Sequence, residues 1–236
     1  MKVIPLTIGT RSSLINCEIL RSRRKTLAIH IKHRKVEVRS PLRASQREIR
    51  AFLECNKKWI DEKLRDESRR YRESLRIENG RKIFYRATER KIVFQENPRH
   101  KILVTRDQFI VQGPSLIPDR AKQQVEAFIL EQAAKCLPAR ATALASYLRV
   151  GRKLKQVKLR KTRSKWGHCT SSGVIQFNWL IMLAPNSIVD YMIAHEVCHL
   201  VHMDHSADFW DLVESVCPNY EYYKAWLKEH EHRFWL

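Results

Sequence analysis

The stretch "AHEVCHLVHMDHSADFW", from Ala194 to Trp210, holds four of the ten histidines of the chain and decides which fold we expect. His195, Glu196 and His199 fit the pattern H-E-x-x-H. Positions i and i+4 of an α-helix differ by about 40° around the axis, so both imidazoles project to one side and can reach one metal ion. We predict a helix over about 187–202, with Ser187 and Asp190 in capping-box spacing at its start.

A catalytic zinc ion usually has three protein ligands, so the two helical histidines need a partner. His202 would lie roughly 10 Å along a straight helix from His195, too far for joint ligation. His205 follows the predicted helix, and a turn there can bring it back to the metal. We therefore favour His205 over His202, and we expect Asp204 to stabilise the turn by accepting a backbone hydrogen bond. The site is predicted to hold one Zn²⁺.

Glu196 lies beside the face that carries the two histidines and is predicted to be the catalytic acid and base. A structural zinc needs no general base and tends to have four protein ligands, so this glutamate favours an enzyme. The candidates for an oxyanion donor are His168, Tyr191, His202 and Tyr220.

The segment Val174–Leu180 is predicted to be a strand covered on one side, because Ile175, Phe177 and Trp179 turn the same way. Its edge could pair with an extended peptide, unless another strand covers that edge. Substrate binding is predicted for three residues here and in the preceding segment: His168, Gln176 and Asn178.

The remaining segments indicate an α+β fold with two lobes. Residues 1–115 are predicted to form a basic lobe, with an N-terminal antiparallel sheet that includes a hairpin at "LAIHIKHRKVEV". An amphipathic helix over about 45–70 starts at a capping box of Ser45 and Glu48. Four apolar runs between 80 and 113 predict a second small antiparallel sheet. We find no internal repeat.

Residues 116–236 are predicted to form the catalytic lobe. A helix should run from Pro118 to about Val150 with Val125, Ile129 and Ala133 on one face, and with a kink or break near Pro138. The segment "GHCTSSG", residues 167–173, is predicted to be a turn between two strands.

Charge is distributed unevenly along the chain. The formal net charge is +20, yet residues 166–236 carry three Lys or Arg against nine Asp or Glu. The strongly basic residues 1–165, which precede this acidic segment, could attract polyanions in a salt-dependent way. This leaves an alternative function, a nucleic-acid-associated protein whose zinc site is structural or vestigial.

The six cysteines are scattered without a Cys-x-x-Cys pair, which predicts reduced thiols, with Cys198 as a packing residue. The sequence has neither a run of about 18 apolar residues nor a signal-peptide pattern at its start, so we expect no membrane association and a cytoplasmic location.

The stretch "KWGHCTSSGVIQFNWLIMLAPNSIVDYMIAHEVCHLVHMDHSADFW" resembles the YgjP-type family of predicted metal-dependent hydrolases, zincin-like zinc peptidases related to the SprT and WLM groups. The resemblance covers most of the chain. It implies a zincin-like core with an added N-terminal sheet, zinc held by His195, His199 and His205, Glu196 as acid and base, and a protein or peptide substrate. Family members often have a serine where this chain has His168.

Overall fold

The computed structural model describes residues 3–9, 14–32, 35–162 and 164–235. Within them, six α-helices and three small sheets form an α+β fold. The chain divides into two compact units, Met1–Glu73 and Ser74–Leu236. This division precedes the predicted boundary between residues 115 and 116, because the second sheet shares the hydrophobic core of the later unit.

The first unit contains a four-stranded sheet, with β1 (Val3–Gly9), β2 (Leu14–Ser22), β3 (Ala28–Lys32) and β4 (Lys35–Pro41) in the order β1-β2-β4-β3. The predicted hairpin is confirmed, since β3 and β4 are antiparallel. The prediction of an antiparallel sheet is wrong in one pairing. Strand β4 lies between β2 and β3 and pairs with β2 in parallel, so the sheet is mixed.

Two helices, α1 (Gln46–Cys55) and α2 (Lys57–Glu73), replace the single helix predicted over 45–70. The capping box is confirmed: Ser45 N donates to Glu48 Oε2 at 2.6 Å, and Glu48 N donates to Ser45 Oγ at 3.2 Å. Asn56 interrupts the helix, and its side-chain amide donates to the carbonyl of Phe52 at 2.8 Å. The buried side chains of these helices share a core with the sheet: Ile49, Leu53, Ile60, Cys17, Ile19, Val36 and Val38.

The second unit begins with another four-stranded sheet, made of β5 (Lys82–Tyr85), β6 (Thr88–Glu96), β7 (Lys101–Val104) and β8 (Gln108–Gly113). Its order is β5-β6-β8-β7, and β6 and β8 are parallel. The antiparallel prediction is again wrong for one pairing. Both sheets therefore have the same strand order and the same sequence of antiparallel, parallel and antiparallel pairings, a structural repeat that the sequence did not reveal.

Helix α3 (Pro118–Tyr147) runs along the core of the second unit. The predicted face is confirmed, because Val125, Ile129 and Ala133 are fully buried. No break occurs at Pro138, although a proline inside a helix costs about 3 kcal/mol. Leu137 and Ala141 continue the buried stripe past the proline, so apolar packing on both sides favours a continuous helix.

The third sheet has three strands, β9 (Gln156–Arg160), β10 (Gly167–Cys169) and β11 (Val174–Asn178), in the order β10-β11-β9. The prediction of a turn over 167–173 is wrong in its first half, because residues 167–169 form the edge strand β10. Strand β11 ends at Asn178, whose Oδ1 accepts a hydrogen bond from Leu180 N at 3.2 Å. A 3₁₀ helix, Trp179–Leu183, begins there.

Helix α4 (Asn186–Cys198) carries the histidine motif and is followed by α5 (Ala207–Val216), α6 (Tyr220–His230) and a 3₁₀ turn, Glu231–Arg233. The predicted start of α4, near residue 187, is confirmed, but its predicted cap and its predicted end are wrong. Its N-cap is Pro185 rather than Ser187, Asp190 instead forms an ion pair with Arg140, and the helix ends before residue 202.

All six cysteines are free thiols, as predicted, and Cys198 is buried. In the part of the chain that the structure describes, none of the helices combines the length and apolar character needed to cross a membrane.

Candidate active site

The end of α4 brings three histidines together. His195 lies in its last turn, and His199 is its C-cap residue. The chain then reverses: His202 N donates to the carbonyl of Cys198 at 3.1 Å, and Ser206 N donates to Asp204 Oδ1 at 3.2 Å. The predicted role of Asp204 is confirmed. The reversal returns His205 to the side of the helix that carries the other two rings.

The nitrogens of these three rings are close enough to share one ion. One ligand atom from each of His195, His199 and His205 lies within 4.8 Å of the others, and the Nε2 atoms of His195 and His205 are 3.3 Å apart. Nitrogens bound tetrahedrally to one zinc at about 2.0–2.1 Å would be separated by roughly 3.3–3.4 Å. The His195–His205 distance therefore matches that of two ligands on one metal ion, and the remaining ligand atom lies within 4.8 Å of both.

The protonation of these rings also suits a metal ligand. His199 Nδ1 lies 2.9 Å from the carbonyl oxygen of His202, which can only accept, so Nδ1 carries the proton and Nε2 keeps its lone pair. Burial, together with the smaller effects of the neighbouring His199 and His205, lowers the pKa of His195 to about 3. Burial also lowers the pKa of His199. Neutral imidazoles are the form that binds zinc.

Helix α5 supports the three rings from behind with two aromatic side chains. Phe209 is fully buried and stacks on His199 with ring centroids 4.4 Å apart. The Trp210 ring centroid lies 5.7 Å from that of His195 and 5.6 Å from that of His205. Lys224 Nζ lies over the Trp210 ring, 4.1 Å from its centroid. The packing restricts the orientation of all three imidazoles.

Glu196 is a buried carboxyl group without a hydrogen-bond partner for one of its oxygens. Its side chain belongs to a residue only 3 % exposed, and Oε2 has no partner among the described residues. Burial raises the pKa of Glu196 to about 8, while the positive charge of Lys165 acts in the opposite direction. A carboxyl group in this environment can bind and release a proton near neutral pH.

Strand β10 passes directly over Glu196. A β-carbon built on Gly167 would lie 2.2 Å from Oε1 of Glu196 and 2.5 Å from its Cδ. A carbon and an oxygen that are not bonded to each other do not approach this closely. Only glycine therefore leaves room for the carboxyl group at this point.

The histidines and Glu196 open to solvent through a cleft of about 320 Å³. One wall is β10, and the other is formed by α4 and the reversal after it. The described residues that line the cleft are Lys165, Gly167, His168, Cys169, His195, Glu196, His199, Met203 and His205. An acid/base group, three potential metal ligands and a strand edge thus meet in one open space.

Comparison with known protein families shows which family the sequence matches. Residues 25–230 match the family described as "YgjP-like, metallopeptidase domain". The chain belongs to the YgjP-like family. It is therefore a metallopeptidase domain, and the resemblance noted in its sequence is confirmed.

Two other comparisons add little to this YgjP-like assignment. The solved structure of the metallopeptidase zymogen of Pyrococcus abyssi abylysin is 20 % identical, with a TM-score of 0.37 over 40 % of this chain and 95 % of that chain. No curated protein matches the sequence. Nucleic-acid association and a cytoplasmic location of the YgjP-like protein stay predictions.

The residues predicted to bind substrate occupy different environments. His168 is exposed and lines the cleft. Gln176 pairs with His168 across the sheet but does not line the cleft. Asn178 is 1 % exposed, and its amide donates to the carbonyl of Thr162 at 3.0 Å, which makes it a buried structural residue.

The edge of β11 is not available to a peptide. It is paired with β10 on one side and with β9 on the other, so the prediction of strand addition at Val174–Leu180 is wrong. Strands β9 and β10 are the two edges of this sheet, and β10 is the edge that lines the cleft. Trp166 O accepts from Asn178 N, and Thr170 N donates to Val174 O, so by alternation the peptide groups of Gly167 and Cys169 point away from β11.

Of the four candidate oxyanion donors, only His168 lines the cleft among the described residues. Tyr191 is buried with its ring against His195, and Tyr220 stacks on Trp210. The sequence did not indicate the roles of Gly167 and Phe209. The proximity of Phe209 to His205 along the chain was the one available signal, since nothing in the sequence tells which side of α5 faces the histidines.

Proposed function

We propose that this metallopeptidase domain is a zinc-dependent peptidase in which His195, His199 and His205 hold one Zn²⁺ and Glu196 is the general base and acid. The observation that carries the proposal is the buried, unpartnered carboxyl oxygen of Glu196 beside three convergent imidazoles. A buried carboxyl group without a hydrogen-bond partner lowers the stability of the folded protein. Its presence in the cleft therefore favours a functional role.

Zinc, when bound, would lower the pKa of a water molecule and polarise the carbonyl of the substrate. Glu196 would accept a proton from the attacking water and then donate it to the leaving amine. Its pKa near 8 suits both transfers, and its burial keeps the carboxyl group in a fixed position. The aromatic side chains of α5 would hold the rings in the orientation for binding.

Strand β10 is the proposed docking edge for the substrate backbone. The outward N–H and C=O groups of Gly167, which is partly exposed, can pair with an extended peptide, as an added strand does, whereas Cys169 is only 4 % exposed. Since β10 also contacts Glu196 at Gly167, a peptide on this edge would lie against the carboxyl group that performs the proton transfers. We also propose that the second unit has a zincin-like fold.

Two variants test the assignment of roles. Glu196→Gln should retain zinc and lose peptide hydrolysis by about 10²-fold or more, because general acid/base catalysis contributes that much. His199→Ala should lose the metal itself. Zinc content would be measured by mass spectrometry of purified protein, and hydrolysis with a library of quenched fluorescent peptides with and without chelator.

Glu229→Gln provides the matched control, since Glu229 is an exposed glutamate on α6 outside the cleft. It should keep both zinc and activity. Unchanged hydrolysis by Glu196→Gln, or hydrolysis that a chelator leaves unaffected, would refute the proposed mechanism.

A further inference from the structure

A second cavity adjoins the cleft and has only basic charged side chains in its walls. It has a volume of about 480 Å³ and shares His199 and Met203 with the cleft. One wall is the segment that leads into β9, and another is the turn Thr170–Gly173 that follows β10. The two spaces therefore adjoin at His199 and Met203.

The charges of this second cavity are suited to an anion. Arg152, Lys153 and Lys155 line it, and none of its described lining residues is an aspartate or glutamate. None of these three cations forms an ion pair with a residue in the described ranges. Lys155 Nζ donates to the carbonyl of Arg152 at 2.9 Å, which leaves the guanidinium of Arg152 and the ammonium of Lys153 as the uncommitted cations.

Hydrogen-bond donors of the turn complete the wall. Ser171 and Ser172 also line this cavity, and the Ser172 hydroxyl is hydrogen-bonded to Thr170 Oγ1 at 2.9 Å. An arginine presents a planar fork of N–H groups that matches a carboxylate, and a charge-assisted hydrogen bond is about twice as strong as a neutral one. A carboxylate is thus a fitting ligand in both charge and geometry.

The two walls are joined to each other, so the cavity is formed before any ligand binds. Lys155 N donates to the carbonyl of Gly173 at 2.8 Å. A β-carbon on Gly173 would lie 1.9 Å from the carbonyl oxygen of Lys153, and the φ of Gly173 is +83°. Glycine is required at this contact, because both the backbone conformation and the close approach exclude a side chain.

The direction of β10 connects the cavity to the path of a substrate. Its outward peptide groups, at Gly167 and Cys169, lead directly into the turn that forms the cavity wall. A peptide paired with β10 advances about 3.3 Å per residue, so a residue near the scissile bond would reach the basic wall. Met203, 50 % exposed, offers an apolar contact between the two spaces.

We propose that this cavity is a specificity subsite that binds a carboxylate of the peptide substrate through Arg152 and Lys153. The carboxylate would come from an acidic side chain or from the C-terminus of the peptide. The inference rests on the proposed peptidase function, because the position of the cavity next to the cleft is what favours a peptide over another polyanion.

Binding can be measured apart from hydrolysis in the full-length Glu196→Gln protein loaded with zinc. Fluorescence anisotropy would compare labelled peptides, acetylated and amidated, in which one position at a time carries Glu or Gln. A second pair with a free or an amidated C-terminus distinguishes the two sources of the carboxylate. We expect one acidic peptide to bind about tenfold more tightly than its neutral partner.

Adding Arg152→Glu and Lys153→Glu should reverse this preference, so that the neutral peptide binds more tightly. Lys91→Glu with Lys101→Glu is the matched control, because it changes the net charge equally on exposed residues of the second sheet. The control should keep the preference of the unmodified cavity.

Equal affinity for the acidic and neutral member of every pair would overturn the subsite, and so would a preference that Arg152→Glu with Lys153→Glu leaves unchanged. Binding of a DNA oligonucleotide that these two substitutions abolish, without discrimination between the peptides, would assign the cavity to nucleic acid instead. Failure of the proposed function is seen separately, when wild-type protein cleaves none of the peptides, since the binding ratios do not depend on cleavage.

Discussion

At the scale of single residues, glycine is needed at position 167 because of a neighbouring carboxyl group and not because of its own backbone conformation. Its φ lies outside the left-handed region, so another residue could adopt the conformation. The space for a β-carbon is instead filled by Glu196, whose Cγ, Cδ and Oε1 would all lie within 2.6 Å. The position of the proposed catalytic base therefore depends on the absence of a side chain on the opposite strand.

Gly167→Ala should displace the Glu196 side chain and lower kcat/KM for peptide hydrolysis by about 10²-fold, the lower range of general acid/base contributions. Zinc content should stay at the wild-type level, because residue 167 is not one of the proposed metal ligands. Hydrolysis kinetics and metal analysis on the same preparation check both statements. Gly151→Ala is the control, as its β-carbon would make only ordinary contacts of 3.5 Å and beyond. A wild-type kcat/KM in Gly167→Ala would contradict this account.

At the scale of elements, β10 is a three-residue edge strand that needs support beyond its pairing with β11. The preceding residue, Trp166, supplies it. Its indole N–H donates to Glu231 Oε2 at 3.1 Å, and its ring stacks on Trp235 with centroids 4.3 Å apart. The 3₁₀ turn after α6 therefore fixes the start of the strand that we propose as the docking edge.

Glu231→Ala should release Trp166 and reduce the free energy of unfolding by about 1.5 kcal/mol, the lower end for a hydrogen bond to a charged group. KM should rise more than kcat falls. The loosened strand β10 is proposed to bind the peptide, whereas the proton transfers are assigned to Glu196, which the substitution leaves in place. Urea unfolding and steady-state kinetics measure the two effects. Glu229→Ala, two residues earlier and exposed, should change neither. Equal unfolding curves for Glu231→Ala and Glu229→Ala would show that the hydrogen bond between Trp166 and Glu231 does not stabilise the protein.

The same element explains why sequence patterns located the histidines but not the wall opposite them. The i, i+4 spacing of His195 and His199 requires only a helix, and a single turn brings in His205. Residues 167–169 contain a glycine and a polar histidine ahead of "TSSG", a composition typical of a turn. Their strand conformation comes from pairing with β11 and from packing on α4, which are contacts between distant parts of the chain.

At the scale of the whole molecule, the two units have separate hydrophobic cores. The buried residues of the larger cluster all follow residue 74, and those of the N-terminal cluster all precede residue 65. Every residue of the cleft and of the basic cavity belongs to the second unit. Its own core is large enough to support independent folding.

Residues 74–236 expressed alone should therefore fold, bind one zinc ion and cleave the peptides cleaved by the full chain with comparable kcat/KM. Circular dichroism melting, metal analysis and the peptide assay would measure this. The Glu196→Gln version of the same fragment controls for contaminating peptidases. An unfolded fragment would mean that the first unit contributes to the stability of the second.

The sequence by itself indicated three helical segments, at about 45–70, 118–150 and 187–202, together with the approximate strands, the convergence of His195, His199 and His205, and the burial of the apolar faces. These follow from local periodicity, which acts over a few residues along the chain. Only the tertiary structure decided that β4 and β8 insert in parallel beside β2 and β6, that β10 forms the edge that lines the cleft, and that Gly167 touches Glu196. Such pairings depend on which of several compatible edges and faces meet, and this choice is made by packing energy between segments far apart in the chain.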